Sequence, residues 1–453
     1  MGKWLYNEAM YRFDEPQPSY WEATSGETDP GSLPLTSDEY CDVAVIGGGY
    51  TGLSAAYHLC CNHHLDVRVL EAGHIGWGAS GRNGGFCCVG AEGLGGESLA
   101  RKYGEQNARD FYLSQVDAVE LVRAIIDDEG IDVDIQGDSE VTFACSSKSF
   151  AALKSHAEFQ RRVLGLDTGV IEQGAMREHY FDSPLQHGGV IHKPTFGLHP
   201  LNYIRGFSAA TVKRGAKVHD SSEVFEWTRD AGMHHLNTPG GILRAKKVIL
   251  ATNGFLPEHL HVAFRGRALP MISAIIVTRP MSGDELAAHA WKTESPAATG
   301  ANLLNYFRRL PDHRFLFGGR GSTNGSDRSA NQNFEKLLAR FHEVFPGWSH
   351  IDIDYRWHGL VCMTRRLTPA LGLLDDDPSV LFGYGYHGTG VSTATWVGKQ
   401  LAAWAASGSI EAPRVVPQVM RGLPGAFPLS RLRLRYIQGI IASLGLVDRL
   451  NEV

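Results

Sequence analysis

The sequence predicts an α/β protein in which a Rossmann-like nucleotide domain is interleaved with a second, sheet-rich α+β domain. Three observations predict it. Residues 41–71 read as strand, glycine turn, helix and strand, a complete βαβ unit. Residues 381–390 form a second strand that ends in a glycine turn, far downstream of the first. Between them strand and helix patterns alternate, and 453 residues exceed one ordinary core.

The elements follow in order. Residues 1–35 are a polar, proline-containing N-terminal extension whose aromatics (Trp4, Tyr6, Tyr20, Trp21) are expected to pack on the main body. Residues 41–46 are β-branched and closed by glycines, as a buried strand should be. Residues 51–59 form a helix with small residues toward that strand, and residues 67–71 form the next strand. Helical periodicity covers 100–129 and 150–163, and a turn at 197–201 leads into a helix ending near Lys213. Residues 218–227 and 246–251 read as strands, 274–317 as strands mixed with loops, and 331–345 as a helix. A last helix runs from Val391 to about Ala406. This organisation assigns 36–100, 196–257 and 356–418 to the nucleotide domain and 101–195 and 258–355 to the second domain. Residues 419–453 are left as a C-terminal helical tail.

Composition narrows the function. With 43 basic and 49 acidic residues the formal net charge is −6, which gives no basic footprint for nucleic acid. Seven cysteines, including the adjacent pairs Cys60-Cys61 and Cys87-Cys88, read as reduced thiols of a cytoplasmic protein. The first residues are polar and broken by proline, unlike a signal peptide, and no apolar stretch reaches the ~20 residues of a membrane span. There is no HExxH, no paired CxxC and no nucleophile elbow, and His63-His64 and His234-His235 lack a metal-ligand context.

The turn Gly47-Gly48-Gly49-Tyr50-Thr51-Gly52 lies between the first strand and its helix. Its first glycine permits the tight turn, its second lets backbone approach a pyrophosphate, and its third packs helix against strand. Free N–H groups at the helix start then face the phosphates. Glu71 ends the next strand, where an acid accepts hydrogen bonds from ribose hydroxyls. An NAD site would need no more than this. The glycine-rich run from Gly76 to Gly85 favours FAD instead, since backbone must wrap a pyrophosphate and a flavin ring.

At this run the chain resembles the D-amino-acid-oxidase-like (glycine oxidase/sarcosine oxidase) flavoprotein family, and more narrowly its γ-glutamylputrescine oxidase branch. The resemblance spans roughly residues 36–405. It is carried by residues 42–53, 78–85, 248–254 (Val-Ile-Leu-Ala-Thr-Asn-Gly) and 383–390 (Gly-Tyr-Gly-Tyr-His-Gly-Thr-Gly), with Trp357-His-Gly and Thr368-Pro369 leading to the last motif. It implies that Gly47, Gly49, Tyr50, Thr51, Gly52, Glu71 and Ala72 hold the ADP half of FAD. Gly78, Ala79, Ser80, Arg82, Asn83, Gly84 and Gly85 would line pyrophosphate and flavin, with Ala251, Thr252 and Gly254 beside them. Val224 would meet adenine through its backbone. Gly385, Gly388, Thr389 and Gly390 would present N–H groups to the N1/O2 edge of the ring, where reduction places negative charge.

The resemblance also implies oxidation of an amine C–N bond to an imine, with O2 or a respiratory-chain acceptor reoxidising the flavin. Sarcosine-oxidase-like relatives place a lysine shortly after the His-Gly of the last motif, to pair with the substrate carboxylate. Here His387-Gly388 is followed by Thr389-Gly390, which favours an amine whose carboxylate lies far from the reacting carbon, as in γ-glutamyl amines. The lysine those relatives use toward oxygen aligns with Leu316, so a dehydrogenase delivering electrons elsewhere remains open. His387 is the first candidate active-site residue. Trp357 and Tyr386 are candidates to wall the ring or are core aromatics, and Tyr306 and Arg308 to reach a distal carboxylate or lie on the surface. Cys362 is a candidate for covalent flavin attachment or a buried thiol. The tail at 429–447 mixes three arginines with apolar residues, and either docks on its own domain or makes weak peripheral membrane contact. Competing readings are an amino- or imino-acid oxidase or dehydrogenase, and a non-catalytic flavoprotein electron carrier.

Overall fold

The computed structural model describes residues 4–26, 29–91, 93–256 and 258–452; the first three residues of the N-terminal extension and Pro257, at an expected domain boundary, lie outside them. Two eight-stranded sheets organise the chain. At the centre of the first is Glu39–Ile46, paired in parallel with Val67–Leu70 on one side and Gly241–Leu250 on the other. Val43, Val45 and Ile46 are almost fully buried, as a strand covered on both faces requires. Lys217–His219 and Val380–Tyr384 extend this sheet in parallel, and Ala370–Leu373 closes one edge antiparallel. Parallel pairing demands crossovers, which the helix Tyr50–His63 supplies between the first two strands.

The second sheet runs in the order Ile353–Thr364, Ala268–Thr278, Phe315–Arg320, Tyr306–Arg309, Ala297–Thr299, Glu140–Phe143, Gly189–Lys193, Asp167–Ile171. Its period-two alternation separates two faces. Phe307, Phe315 and Phe317 pack with Phe341 of the helix Asp327–Val344 and with Phe345 and Trp348 in one aromatic core. Residues of the opposite parity (Ile275, Tyr306, Leu316) turn toward the nucleotide domain and join its core. Opposite Tyr306 on the neighbouring strand stands Gly318, and a Cβ there would lie 2.2 Å from the tyrosine ring. Only glycine lets that ring lie across the sheet.

Several expectations change in detail. Residues 218–227 are not one strand: Lys217–His219 ends, Ser221 adopts a positive φ, and Glu226–Asp230 starts a hairpin with Met233–Thr238. The reason is local pairing, since the Ser221 and Ser222 N–H groups bond to the Gly73 and Glu71 carbonyls. The helix expected at 100–129 breaks at Gly104 into Gly96–Tyr103 and Glu105–Glu129. The helix expected at 150–163 is Ser147–Phe159 followed by a wider turn, Gln160–Leu164. The boundary expected at 356 cuts through a strand, because Ile353–Thr364 pairs along its length with Ala268–Thr278 in the second sheet. No described helix is long and apolar enough to cross a membrane.

Arg308 joins the two domains rather than reaching a substrate carboxylate. It is 1% exposed, and its guanidinium donates to the carbonyls of Gly84 (3.1 Å) and Leu198 (2.6 Å) and to Gln136 Oε1 (3.1 Å). Burial lowers its pKa to about 10, so the group stays charged at neutral pH. Arg308→Met should cost about 3 kcal/mol or more, because three buried carbonyls lose their donor. Chemical denaturation of the purified protein measures it; a loss below about 1 kcal/mol would deny Arg308 this role.

Candidate active site

A cavity of about 1050 Å³ runs between the sheets from the first glycine turn to the C-terminal helix. One end is the turn after Ile46. A Cβ at Gly52 would lie 1.9 Å from the Gly47 carbonyl oxygen, so the helix meets the turn at a distance only glycine allows. Gly47, Gly49, Tyr50 and Thr51 line the cavity, while Gly52 packs behind them. Glu71 faces the same space with Ala72, and its carboxylate accepts the Gly48 N–H (2.7 Å) and the Gly73 N–H (3.1 Å). Burial raises the Glu71 pKa, and those two donors counteract the rise. Val224 lines this end from the loop before the hairpin, not from a strand.

The glycine-rich loop forms the next stretch of wall. Gly78, Ala79, Ser80, Arg82, Asn83 and Gly84 line the cavity; the Gly85 carbonyl instead accepts the Leu198 N–H (2.8 Å). The loop is braced by its own polar atoms. Ser80 Oγ accepts the Tyr50 N–H (3.1 Å), and Asn83 Nδ2 donates to the Ala79 and Ser80 carbonyls. Two indoles hold it from behind: Trp357 Nε1 donates to the Arg82 carbonyl (2.8 Å) and Trp21 Nε1 to the Asn83 carbonyl (2.9 Å). Trp357 is therefore a brace in the core and not a cavity wall, because its alternation in the strand turns it toward the loop's back. Arg82 lies 4.0 Å over the Trp77 ring, 4% exposed, with Nε and Nη2 lacking partners among the described residues.

The far wall comes from the second glycine turn. Tyr386, His387, Gly388, Thr389 and Gly390 line the cavity, and the helix Gly390–Ser407 starts there. Tyr386 shares a 2.5 Å hydrogen bond with Thr51, tying the two glycine turns together. Gly385 sits behind, its N–H bonded to Asn253 Oδ1 (2.9 Å), and Gly254 packs near Cys362. Ala251 and Thr252 line the cavity, and Thr252 Oγ1 has no partner among the described residues. Burial drops the His387 pKa to about 4, so the ring is neutral. Its Nε2 lies 3.4 Å from the Thr364 backbone N and 3.5 Å from Thr364 Oγ1, and Nδ1 has no partner among the described residues. Cys362 also lines the cavity, and burial pushes its thiol up to about 12, which keeps it neutral.

The sheet face above this space brings the expected Tyr306 together with Arg320 and Glu140, which sequence reasoning missed. Tyr306 lines the cavity with its hydroxyl 2.9 Å from Ser273 Oγ. Arg320 lines it too, and its Nε has no partner among the described residues. Glu140 lines it near Cys88, and burial pushes its carboxyl up to about 7. Strand parity was the available signal: Arg320 shares a face with Gly318 and Tyr306, whereas periodicity alone does not reveal which strands pair.

The family model of the FAD dependent oxidoreductases, DAO, matches residues 42–404. The chain belongs to that family. It is 30% identical to the probable oxidoreductase OrdL of Haemophilus influenzae over 373 residues, covering 82% of this chain and 84% of that protein. It is also 30% identical to the gamma-glutamylputrescine oxidoreductase of Escherichia coli, covering 85% and 88%. Its fold matches the crystal structure of glycine oxidase from Geobacillus kaustophilus with a TM-score of 0.67 at 19% identity, over 83% of this chain and 99% of that one. As a DAO-family enzyme it uses FAD. The cavity suits that group: the glycine cradle leaves room for a pyrophosphate, Arg82 and Thr252 carry polar atoms without partners among the described residues, and the Glu71 carboxylate lines the same end and could accept from a ribose hydroxyl.

Two predictions follow from this geometry. Glu71→Gln keeps the shape but removes the charge, and should weaken FAD retention about tenfold or more, measured as flavin absorbance against protein after dialysis. Retention equal to the parent's would exclude Glu71 from holding the cofactor. The second concerns pH. Folded Glu140 keeps its proton up to about 7, where the unfolded chain has already lost it, so the group lowers stability as pH rises through that window. Glu140→Gln should therefore flatten the fall in melting temperature of the cofactor-free protein between about pH 5 and about pH 8. An unchanged fall would assign the pH dependence elsewhere.

Proposed function

We propose that the protein oxidises the C–N bond of a primary or secondary amine to an imine, on a substrate whose carboxylate lies far from the reacting carbon, such as a γ-glutamyl amine. The observation that carries this is Arg320, a cavity-lining guanidinium with an unpartnered Nε, on the sheet face that also presents Tyr306. Burial lowers its pKa to about 10, which leaves it cationic at neutral pH and strengthens its attraction for a carboxylate. The last glycine turn reads His387-Gly388-Thr389-Gly390, with no lysine to take a carboxylate beside the reacting carbon. Similarity to the E. coli gamma-glutamylputrescine oxidoreductase points the same way.

Bound FAD supplies the electron-pair acceptor for the oxidation. The chain's own contributions are positional. The start of helix Gly390–Ser407 offers N–H donors to negative charge along this wall, with the neutral His387 ring beside it. Tyr306, whose hydroxyl donates to Ser273 Oγ while Ser273 donates to the Gly319 carbonyl, presents a phenol whose pKa burial raises to about 12, so it stays neutral beside the substrate space. The amine must arrive deprotonated, and Glu140 is the cavity acid that titrates near neutrality.

Arg320→Met tests the reading. Half-saturation for γ-glutamylputrescine in anaerobic flavin reduction should rise about 10- to 100-fold, while putrescine, which lacks the carboxylate, changes little. Equal losses for both amines would remove Arg320 as the carboxylate anchor. Reduction of the parent enzyme by glycine, sarcosine or proline but by no γ-glutamyl amine would replace this substrate class with amino and imino acids.

A further inference from the structure

The helix Arg433–Glu452 lies beyond the 42–404 segment that the DAO family shares. It is nevertheless part of the cavity. Ile437, Ile440, Ile441 and Leu444 all line the space that holds Tyr306 and Arg320, and their spacing puts them on one helical face. Ile437 is 4% exposed.

The two ends of the helix are held differently. At its start, Arg433 is 5% exposed and pairs with Glu258, and Leu434 packs on the apolar cluster of Tyr6, Met10, Tyr11, Ile272 and Leu360. At its far end, the Asp448 carboxylate accepts the Asn302 N–H (3.0 Å), Asn302 Nδ2 (2.7 Å) and the Leu303 N–H (2.8 Å). Asn302 and Leu303 themselves line the cavity, so this contact closes the helix against the opposite rim. The first end combines a largely buried ion pair with apolar packing. The second rests on hydrogen bonds at the surface, which exchange readily with water.

We infer that this helix is the lid of the substrate chamber, anchored at Arg433, latched at Asp448, and selective for the alkyl segment of the amine through its isoleucine face. The inference deepens the proposed amine oxidation and rests on it for the substrate's identity. An amine whose charged groups lie at its two ends presents methylenes between them. With the carboxylate at Arg320 and the reacting carbon at the flavin, those methylenes pass the surface formed by Ile437 and Ile441. Entry then requires the Asp448 end to lift, and binding re-forms the latch over the chain.

The test uses the holoenzyme and a homologous series of γ-glutamyl diamines differing in methylene number. For the parent, affinity in anaerobic flavin reduction should rise about fourfold per methylene over the stretch that meets the wall. Ile441→Ser should reduce that increment to about twofold or less. Asp448→Ala, which leaves the isoleucine face intact, should raise quenching of flavin fluorescence by iodide severalfold without any amine present. An unchanged methylene increment in Ile441→Ser overturns the wall, and unchanged quenching in Asp448→Ala overturns the latch. If no γ-glutamyl amine reduces the parent flavin, the substrate reading falls, and the iodide result still decides the lid.

Discussion

The guanidinium of Arg308 sits where three segments distant in sequence converge: the glycine-rich loop at Gly84, the returning chain at Leu198, and the loop at Gln136 that precedes the second sheet's strand Glu140–Phe143. All three acceptors are neutral carbonyl oxygens, so the charge is solvated by the fold itself. A charge buried in this way is tolerable only while every one of those bonds is made. The glycine loop is thereby fixed relative to the sheet that carries Tyr306, Arg320 and Glu140. The cavity between the domains has its width set by that distance.

Around this junction the chain surrounds the cavity with contacts that fix the backbone and leave polar atoms turned inward. Trp21 and Trp357 hold the loop's carbonyls from behind, and Tyr386 and Thr51 join the two glycine turns. The atoms left without partners among the described residues include Arg82 Nε and Nη2, Thr252 Oγ1, His387 Nδ1 and Arg320 Nε, all on cavity-lining residues. Orphaned polar atoms in a buried position are costly unless a ligand satisfies them. Their alignment along one cavity is what a site built for a long, polar cofactor and a charged substrate should look like.

Burial sets the protonation states of the chamber more than charge pairing does. Desolvation is the leading cause of the shift at His387, Cys362, Tyr306, Glu140 and Arg320 alike. It keeps the imidazole, thiol and phenol neutral, and it brings one carboxyl near neutrality. Among these desolvated groups Arg320 keeps its charge at neutral pH, as does Arg82 in the glycine-rich loop, where burial lowers the pKa to about 9.

The sequence by itself determined the local units. A βαβ turn at 41–71 needs only residue types at fixed spacing, because its geometry is made by neighbours in the chain. The second glycine turn and the helix from Val391 to about Ala406 were legible for the same reason, whereas the break at Gly104 in the helix read at 100–129 was not. Tertiary structure decided what depends on pairing between distant strands. Arg308 and Arg320 lie on one face of one sheet, yet register with Gly84 and Leu198 spends the first on the fold and leaves the second in the cavity. The same holds for Trp357, placed behind the loop, and for the C-terminal helix, whose isoleucines have an apolar face in sequence but a chamber to close only in three dimensions. Register is a relation between segments that no single segment encodes, and here it separates the residues that hold the site together from those that face into it.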